Sequence, residues 1–282
     1  MSSRPTTAPA AVFILSVSSD IGERLALDHL AGGARVAGTY RRQLPASLAG
    51  HERFAGLRCD VTARESARDI AAFLQAHDFQ WDLFISCVGL LDPVGPFFKH
   101  DFEAWAQSVE ANSVGQLRAL HAAHAFRRPG QVNHVVFFAG GGTNNPFRSY
   151  SAYCLGKIAL IKMCELLDDE NPDLNVFIVG TGWVRTKIHA QTLAAGARAG
   201  DSYERTRQFI DQDTPGTDHT AIAAMIRWGV AQGRTVAGGR NFSVVHDPWA
   251  EAGSGLAAAL QADPDKFKLR RHGNLEARLS RP

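Results

Sequence analysis

The residues with the clearest chemical potential are a tyrosine and a lysine four positions apart, Tyr153 and Lys157. In a helix, residues at this spacing lie on one face, one turn from each other. A cation beside a phenol favours the phenolate and lowers the phenol pKa toward neutral pH. Such a tyrosine can donate a proton to a carbonyl oxygen, or accept one from an alcohol, while hydride moves to or from a nicotinamide. Because Y-x-x-x-K is common on helices, the position of the pair in the fold decides its meaning.

A second group of residues has the character of a phosphate-binding turn. Residues 16–22 follow an apolar run and precede an amphipathic one. A strand-to-helix turn at this point places backbone N–H groups and a helix N-terminus against a pyrophosphate. A plain turn with Asp20 as the helix N-cap explains the same residues.

Two arginines, Arg41 and Arg42, follow Tyr40 at the end of the second apolar run. An acidic side chain at this point of a dinucleotide site binds the ribose hydroxyls and favours NAD. A guanidinium forms forked, charge-assisted contacts that suit a 2′-phosphate. The sequence therefore predicts NADP(H) as the cofactor, with two solvated arginines at a strand end as the alternative.

The elements that must position these residues are short apolar runs that alternate with amphipathic stretches. Strands are predicted at 12–17, 35–40, 57–61, 82–88, 132–138, 175–179 and 241–245. Helices are predicted at 21–30, 62–74, 101–126, 151–167 and 217–232, the second with Thr62 and Glu65 as a capping box. This alternation predicts an α/β fold, a Rossmann-type, doubly wound parallel sheet of about seven strands with helices on both faces. Ligands of such sheets bind outside the carboxyl ends of the strands.

The chain contains no linker composition, so one domain is expected. Residues 1–11 are predicted to be a disordered lead, 12–250 the folded domain and 251–282 a C-terminal extension. Residues 183–213 form a long insertion that is predicted to be partly helical.

Composition excludes several classes of protein. The chain has 282 residues, of which 45% are hydrophobic and 21% charged, as in ordinary globular domains. A net charge of +2 gives no basic surface for nucleic acid or for an acidic membrane. The apolar run at 12–15 is too short for a signal or a membrane span. We therefore expect a cytoplasmic protein with neither nucleic-acid nor membrane partners.

The cysteines and histidines give no sign of a metal site. The four cysteines form no C-x-x-C pair and are predicted to be reduced thiols in or near the core; they are Cys59, Cys87, Cys154 and Cys164. The eleven histidines show neither H-x-x-x-H nor H-E-x-x-H spacing.

Over about residues 12–249 the chain resembles the short-chain dehydrogenase/reductase family. The strongest match is Tyr153-x-x-x-Lys157, which follows the predicted fifth strand and three glycines. The resemblance implies that Tyr153 is the acid/base and that Lys157 tunes it and holds the nicotinamide ribose. Asn112 matches the helix asparagine with which the family holds a water of the proton relay.

The family also has a catalytic serine ahead of this helix, and here the sequence departs from the pattern. By spacing to Tyr153, Ala139 falls on the serine position. Loss of such a hydrogen-bond donor reduces a rate by roughly 10²–10³. Thr143, an asparagine of the same loop or a hydroxyl of the substrate would have to replace it.

The resemblance extends to the cofactor site. The family turn T-G-x-x-x-G-x-G has Ser16 at its first glycine, Asp20 at its second and Gly22 at its last. The D-V, N-N-A-G and P-G-x-V-x-T segments of the family match 60–61, 86–89 and 181–186. Together these matches assign the cofactor to Ser16, Ser18, Ser19, Asp20, Ile21, Gly22, Tyr40, Arg41, Arg42, Asp60, Val61, Val88, Gly89, Tyr153, Lys157, Gly182, Val184 and Thr186. Residues 187–215 lie where the family has a mobile substrate lid.

The sequence thus predicts an NADP(H)-dependent oxidoreductase that interconverts a carbonyl and a secondary alcohol on a polar, hydroxylated small molecule. Asp247-Pro248-Trp249 and residues 269–271 resemble a subgroup of the family that is associated with sugar and polysaccharide pathways. This resemblance suggests a sugar, a nucleotide sugar or a cyclitol as the substrate. The resemblance also implies a homodimer or homotetramer that is formed through helices 101–126 and 151–167.

Two alternatives stay open. Ser16, Asp20, Ser86 and Ala139 all differ from the working pattern of the family, which allows a non-catalytic relative that binds a nucleotide or a partner. The change at Ala139 also allows an epimerase or dehydratase that oxidises its substrate only transiently.

Overall fold

The computed structural model describes residues 9–212 and 215–271. Residues 1–8 of the predicted lead, 213–214 of the predicted lid and 272–282 of the predicted extension lie outside this part. A seven-stranded parallel sheet has the strand order β3-β2-β1-β4-β5-β6-β7. The strands are β1 (Ala11–Leu15), β2 (Arg35–Tyr40), β3 (Phe54–Arg58), β4 (Leu83–Ser86), β5 (Asn133–Phe138), β6 (Leu174–Gly180) and β7 (Asn241–Ser243).

Helices cover both faces of the sheet, which confirms the predicted doubly wound α/β fold. They are α1 (Asp20–Ala31), α2 (Ser66–Ala76), α3 (Phe102–Asn112), α4 (Val114–Ala123), α5 (Ser151–Glu170), α6 (His189–Ala195), α7 (Asp201–Asp211), α8 (His219–Gln232), α9 (Arg234–Ala237) and α10 (Leu256–Ala262). Helices α1, α8, α9 and α10 pack on one face, and α2, α4 and α5 pack on the other. The sequence alternation of strands and helices is sufficient to produce this arrangement.

The central strands are apolar on both sides because helices bury both of their faces. All residues of β1, β4 and β5 are buried. On the face that carries α2, α4 and α5, Phe84 packs against Phe13 and Phe137, with ring centroids 5.7 and 6.3 Å apart. This rigid centre fixes the strand ends where the candidate site lies.

The third strand and the first one begin earlier than the sequence predicts. β3 covers Phe54–Arg58 rather than 57–61, because Phe54 pairs with Val36 at the sheet edge. Cys59 and Val61 continue the apolar pattern but are buried in the loop that follows the strand. β1 begins at Ala11, inside the segment predicted to be the lead, and ends at Leu15.

The second helix begins at Ser66, so the predicted capping box of Thr62 and Glu65 does not form. The backbone N–H and the hydroxyl of Thr62 donate instead to the Asp60 carboxylate, at 3.0 and 2.8 Å. Such a side-chain turn competes with the helix and delays its start.

The single helix predicted at 101–126 is two helices, α3 and α4, with a break at Ser113. The Ser113 hydroxyl donates to the carbonyl of Val109 at 2.6 Å. Gly115 then passes so close to the strand-to-helix loop that a Cβ would be 2.7 Å from the carbonyl oxygen of Val61. The break therefore lets α4 approach the cofactor end of the sheet.

The described part of the C-terminal segment packs on the domain. Leu256 and Leu260 of α10 are buried in the core. The buried guanidinium of Arg240 donates to the carbonyls of Leu260 and Lys266, at 2.6 and 3.1 Å. Arg240 therefore attaches this segment to the last strand.

Within 9–212 and 215–271, no helix has the length and apolar character needed to cross a membrane. The same residues contain no cluster of three or more metal-ligating side chains. Three of the four cysteines are buried thiols, and Cys154 is partly exposed.

Candidate active site

A cavity of about 1060 Å³ lies at the carboxyl ends of the strands. Of the residues that the sequence assigns to cofactor binding, all except Gly22 line it. Tyr153 and Lys157 line it too, whereas Asn112 and Thr143 do not. A doubly wound sheet is expected to bind its ligand at this place.

The turn after β1 forms the floor of one end of the cavity. Ser19, not Asp20, is the N-cap of α1: its hydroxyl accepts from the N–H of Gly22 at 3.0 Å and donates to the carbonyl of Ser16 at 2.8 Å. Gly22 is required here because a Cβ would collide with the carbonyl oxygen of Ser16. Ser16 has a φ of 64°, the left-handed conformation that a glycine adopts without strain. The turn thus keeps the shape of a phosphate-binding loop although two glycines are replaced.

Three arginines surround a second, more open recess beside this cavity. Arg41, Arg42 and Arg58 line it together with Cys59 and Asp60. The guanidinium of Arg58 donates to the carbonyl of Arg41 at 3.4 Å, which ties the end of β3 to the end of β2. Neither Arg41 nor Arg42 makes an ion pair with another described residue. Their charges are available to an anion, and forked guanidinium donors suit a phosphate.

Lys157 is buried on α5 and is oriented by the loop after β4. Its Nζ donates to the carbonyl of Val88 at 2.9 Å and lies 5.8 Å from the centroid of the Tyr153 ring. Burial lowers the pKa of Lys157 to about 8, and Cys87 acts in the opposite direction. The ammonium is therefore held at the junction of the tyrosine and the cavity.

Tyr153 is the candidate proton donor. Burial is the main cause that raises the pKa of its phenol above the usual value, and the neighbouring Cys154 adds to it, so the lowering of this pKa that was expected from Lys157 is not found. The phenol is protonated at neutral pH, the state that an acid needs before a carbonyl is reduced.

Gly140 faces the tyrosine hydroxyl, one residue after the position that spacing suggested for the family's serine. A Cβ on Gly140 would be 2.5 Å from Cε1 and Cζ of the Tyr153 ring. Ala139 follows β5, donates its N–H to the carbonyl of Val179 at 3.0 Å, packs against the apolar cluster beneath the cavity and also lines the cavity. Thr143 lies in the same loop, and its hydroxyl donates to the carbonyl of Gly140 at 3.4 Å. Neither Thr143 nor Ser149 of this loop lines the cavity.

The Asn112 side chain is fully occupied by backbone groups. Its Oδ1 accepts from the N–H of Leu90 at 3.1 Å, and its Nδ2 donates to the carbonyls of Leu90 and Ser108, at 2.7 and 2.9 Å. Asn112 also contacts α5, because a Cβ on Gly156 would be 2.5 Å from the Cβ of Asn112. The amide holds the loop after β4 against α3 and α5, and thereby positions the carbonyl of Val88 for Lys157.

The segment after β6 closes the other side of the cavity. Gly182 has a φ of 71°, and Val184 is buried. The carbonyl of Val184 accepts from Nε2 of His189 at 2.8 Å, and Thr186 lines the cavity. The next residue, Lys187, reaches the turn after β1.

Helices α6 and α7 of the predicted lid lie at the end of the cavity beyond Tyr153. Oε1 of Gln191 accepts from the N–H groups of Leu91 and Asp92, at 2.8 and 3.0 Å. The hydroxyls of Tyr150 and Thr192 are 2.9 Å apart. These bonds fix the lid to the loop after β4 and to the start of α5. The residues that line this end are Leu90, Leu91, Gly141, Phe147, Tyr150, Ile188, Gln191, Thr192, Ser202, Arg205 and Thr206.

Sequence reasoning missed Gly140, Tyr150 and Lys187 as parts of the site. Tyr150 directly precedes α5, and its ring stacks on Phe147 with centroids 4.2 Å apart. The aromatic pair in the loop before Tyr153 was a usable signal. Nothing in the sequence indicates that Lys187 reaches the turn after β1, because 167 positions separate it from Asp20.

Comparison with known proteins identifies the class of this fold and site. Residues 10–196 match the family model for short chain dehydrogenases. The chain therefore belongs to the short-chain dehydrogenase/reductase family. No curated protein sequence matches it.

Solved structures show the same fold at low sequence identity. A short-chain dehydrogenase/reductase from Saccharomyces cerevisiae has 20% identity and a TM-score of 0.74 over 86% of this chain and 98% of that chain. The aldohexose dehydrogenase of Thermoplasma acidophilum has 16% identity and a TM-score of 0.68, over 83% and 91%. A short-chain dehydrogenase from Shigella flexneri, solved in complex with NADP, has 17% identity and a TM-score of 0.69, over 86% and 99%.

Proposed function

We propose that this chain is an NADP(H)-dependent oxidoreductase that interconverts a carbonyl and a secondary alcohol on a polar, hydroxylated small molecule. The observation that carries the proposal is one cavity lined both by Tyr153 and Lys157 and by Arg41 and Arg42, two arginines that make no ion pair with another described residue. The chain's family membership supports the oxidoreductase class.

The residues fit a nicotinamide dinucleotide phosphate. The first N–H groups of α1, at Asp20 and Ile21, are among the unpaired donors of a helix start and suit a pyrophosphate. The missing side chain of Gly22 keeps that turn tight, and Arg41 and Arg42 suit a 2′-phosphate. The neighbour from Shigella flexneri carries NADP, which agrees with this choice.

The chain's own residues supply position and a proton. The cofactor, when bound, donates or accepts the hydride. Tyr153 gives its phenolic proton to the substrate oxygen during reduction and takes one back during oxidation. The Lys157 ammonium stabilises the phenolate that forms, because opposite charges attract strongly in a buried site. The carbonyl of Val88 keeps the ammonium directed toward that position.

The lid end favours a polar and anionic substrate. Gln191, Thr192, Ser202 and Thr206 offer amide and hydroxyl groups to the cavity. Two basic lid residues line the cavity, Lys187 and Arg205. Arg205 lies at the lid end and makes no ion pair with another described residue. Among the structural neighbours, one is an aldohexose dehydrogenase. A hydroxylated compound, and in particular a sugar or a sugar acid, matches this set of groups.

The test is a titration of the purified protein with NADPH and with NADH, followed by nicotinamide fluorescence, for wild type and for Arg41→Ala. We expect tight NADPH binding, weaker NADH binding and loss of the preference in the variant. A panel of keto sugars and sugar acids then follows, with Tyr153→Phe as the inactive control. Absence of binding of both nucleotides would overturn the proposal in favour of a non-catalytic relative. Substrate conversion without net NADPH consumption would point to the epimerase or dehydratase alternative.

We also propose a homodimer that forms through α3 and α5. Phe98, which precedes α3, is 93% exposed, Phe102 at the start of α3 is 60% exposed and Leu155 of α5 is 49% exposed, so this region presents apolar side chains to solvent. Patches of this kind commonly mark protein–protein contacts. Sedimentation analysis of wild type and Phe98→Glu tests the proposal, and a monomeric wild type contradicts it.

A further inference from the structure

An aspartate and a lysine from distant parts of the chain meet at the phosphate-binding turn. The Asp20 carboxylate accepts from the backbone N–H of Lys187 at 2.6 Å, and its other oxygen lies 3.7 Å from Nζ of the same lysine. Nζ also donates to the carbonyl of Ser18. Both residues line the cavity.

The Asp20–Lys187 ion pair is important for anion binding because of its position at the start of α1, more than because of its strength. Asp20 stands at the start of α1, where the helix dipole and the first N–H groups attract an anion. A carboxylate here repels a pyrophosphate unless a cation compensates for it. Lys187 supplies that cation, and its Nζ already lies among oxygen acceptors of the turn.

The carboxylate also occupies donors that an oxyanion would use. A backbone N–H and an ammonium that converge on one carboxylate form the donor set that phosphate oxygens prefer. Asp20 therefore takes, at this turn, the place of a phosphate oxygen between Lys187 and the helix start.

We propose that Lys187 is a pyrophosphate-binding residue of the cofactor site and that Asp20 is its positioning residue. Without nucleotide, Asp20 holds Lys187 and the lid over the turn. With nucleotide, the ammonium shares its charge between the carboxylate and the pyrophosphate. The inference rests on the proposed function, because it requires that a dinucleotide binds in this cavity.

The lid is placed to respond to this contact. Lys187 is followed by Ile188 and by α6, in which Gln191 is bonded to the loop after β4. The Asp20 contact is thus the first attachment of the lid on the cofactor side, and Gln191 is the next one on the substrate side. Release of Lys187 frees the beginning of α6 while the Gln191 attachment stays intact.

Nucleotide binding by Lys187→Met and Arg41→Ala distinguishes a pyrophosphate ligand from a 2′-phosphate ligand. Because the pyrophosphate is common to both nucleotides, Lys187→Met should weaken NADPH and NADH by the same factor, about tenfold, the usual effect of one charge-assisted bond. Arg41→Ala should weaken NADPH alone. The exposed Lys99→Met, which removes a charge away from the cavity, is the matched control.

A double-mutant cycle with Asp20→Asn tests the coupling. The asparagine keeps an acceptor for the Lys187 N–H and removes the charge, so binding of both nucleotides should tighten several-fold. The gain should be larger when Lys187 is already methionine, because the carboxylate is then uncompensated. In the protein without nucleotide, Asp20→Ala, which also removes the acceptor for the Lys187 N–H, should speed amide hydrogen exchange in 188–195 and leave the central strands unchanged.

The results of these experiments distinguish failure of the Lys187 inference from failure of the proposed function. If wild type binds the nucleotides and Lys187→Met behaves as Lys99→Met does, the inference fails and the proposed function stands. A loss confined to NADPH would place Lys187 at the 2′-phosphate and overturn the pyrophosphate assignment. Unchanged exchange in 188–195 overturns the role of Asp20 in holding the lid. If wild type binds neither nucleotide, the proposed function itself fails, and the pyrophosphate role fails with it.

Discussion

The ring of Tyr153 lies directly against the backbone of Gly140, and a Cβ on that glycine would be 2.5 Å from two carbons of the ring. The phenol can keep its position only because residue 140 has no side chain. Gly140 therefore decides where the proton donor lies, although it contributes no functional group of its own.

Gly140→Ala should reduce the rate of carbonyl reduction by about 10²-fold, because a displacement of about 1 Å of a reacting group can have that effect. Cofactor affinity should change little, since the nucleotide contacts proposed above lie elsewhere. NADPH oxidation with the best substrate of the panel measures the rate, and the fluorescence titration measures the affinity. Ala139→Ser is the matched comparison: Ala139 also lines the cavity, but Gly140 is the residue whose Cβ position meets the Tyr153 ring, so a hydroxyl at 139 should not increase the rate. A faster Ala139→Ser enzyme would show that residue 139 is the true serine position.

Lys157→Met should make the protein more stable at neutral pH while it abolishes activity. Burial lowers the pKa of Lys157 from 10.5 to about 8, so below pH 8 the folded state carries an ammonium that it disfavours. Stability rises with pH between 8 and 10.5, because the unfolded chain binds more protons there. A shift of this size corresponds to about 3 kcal/mol, from which the lost bond to Val88 subtracts about 1 kcal/mol.

Urea unfolding at pH 7.0 and pH 9.5 checks this prediction. The variant should gain about 2 kcal/mol at pH 7.0 and clearly less at pH 9.5, where the wild-type amine is neutral in the folded state. Lys162→Met on the same helix is the control, because its half-exposed ammonium pairs with Glu165 at 2.6 Å and should contribute little. An equal gain at both pH values would mean that the effect comes from packing and not from charge.

Local sequence patterns predicted those features that depend on a few neighbouring residues. Apolar runs gave the seven strands, and Tyr153 and Lys157 at helical spacing do share the cavity. Features that depend on distant contacts were not predictable. The break at Ser113 depends on Gly115 meeting the loop that contains Val61, and no local signal marks that approach.

In the candidate site, too, some features could be predicted from neighbouring residues and others depend on distant contacts. The residues after each strand could be predicted to line one cavity because parallel strands all end at one edge. The sequence could not decide whether Ala139 or Gly140 stands at the family's serine position, because this depends on the rotation of the backbone after β5. Likewise, Asn112 was predicted to be a site residue but does not line the cavity, and its bonds to Leu90 and Ser108 form only when α3 and the loop after β4 are brought together.

His134 should make the fold sensitive to acid. The ring lies on β5 with Nδ1 3.0 Å from Nδ2 of Asn175, so Nδ1 accepts a hydrogen bond and must be unprotonated. Burial lowers its pKa from 6.5 to about 4. The unfolded chain therefore binds more protons between pH 6.5 and 4, and stability is lost as the pH falls through that range, by about 3 kcal/mol in total.

Urea unfolding at pH 7.5 and pH 5.0 tests this expectation. His134→Gln keeps an acceptor for Asn175 and cannot be protonated, so its stability should fall by about 2 kcal/mol less than that of wild type. His121→Gln, at an exposed position of α4, should follow wild type at both pH values. Identical acid sensitivity of His134→Gln and wild type would assign the loss to other groups.

Ser16→Gly should stabilise the protein, because Ser16 has a φ of 64° and its hydroxyl makes no hydrogen bond with another described residue. A non-glycine residue in this conformation stores about 1 kcal/mol of strain or slightly more. Glycine removes the strain, and since the conformation is already fixed by the bonds between Ser16 and Ser19, the added freedom of the unfolded chain offsets only part of the gain. Thermal and urea unfolding should show a net gain of about 0.5–1 kcal/mol.

Ser18→Gly is the matched control, because Ser18 belongs to the same turn but does not have a positive φ. Glycine relieves no strain there and increases the entropy of the unfolded chain, so this variant should lose about 0.5–1 kcal/mol. Opposite signs for the two substitutions would establish backbone strain at Ser16 as the cause. If both variants were destabilised, the Ser16 side chain would have to make a contact that offsets the strain, and the turn would have adapted to serine.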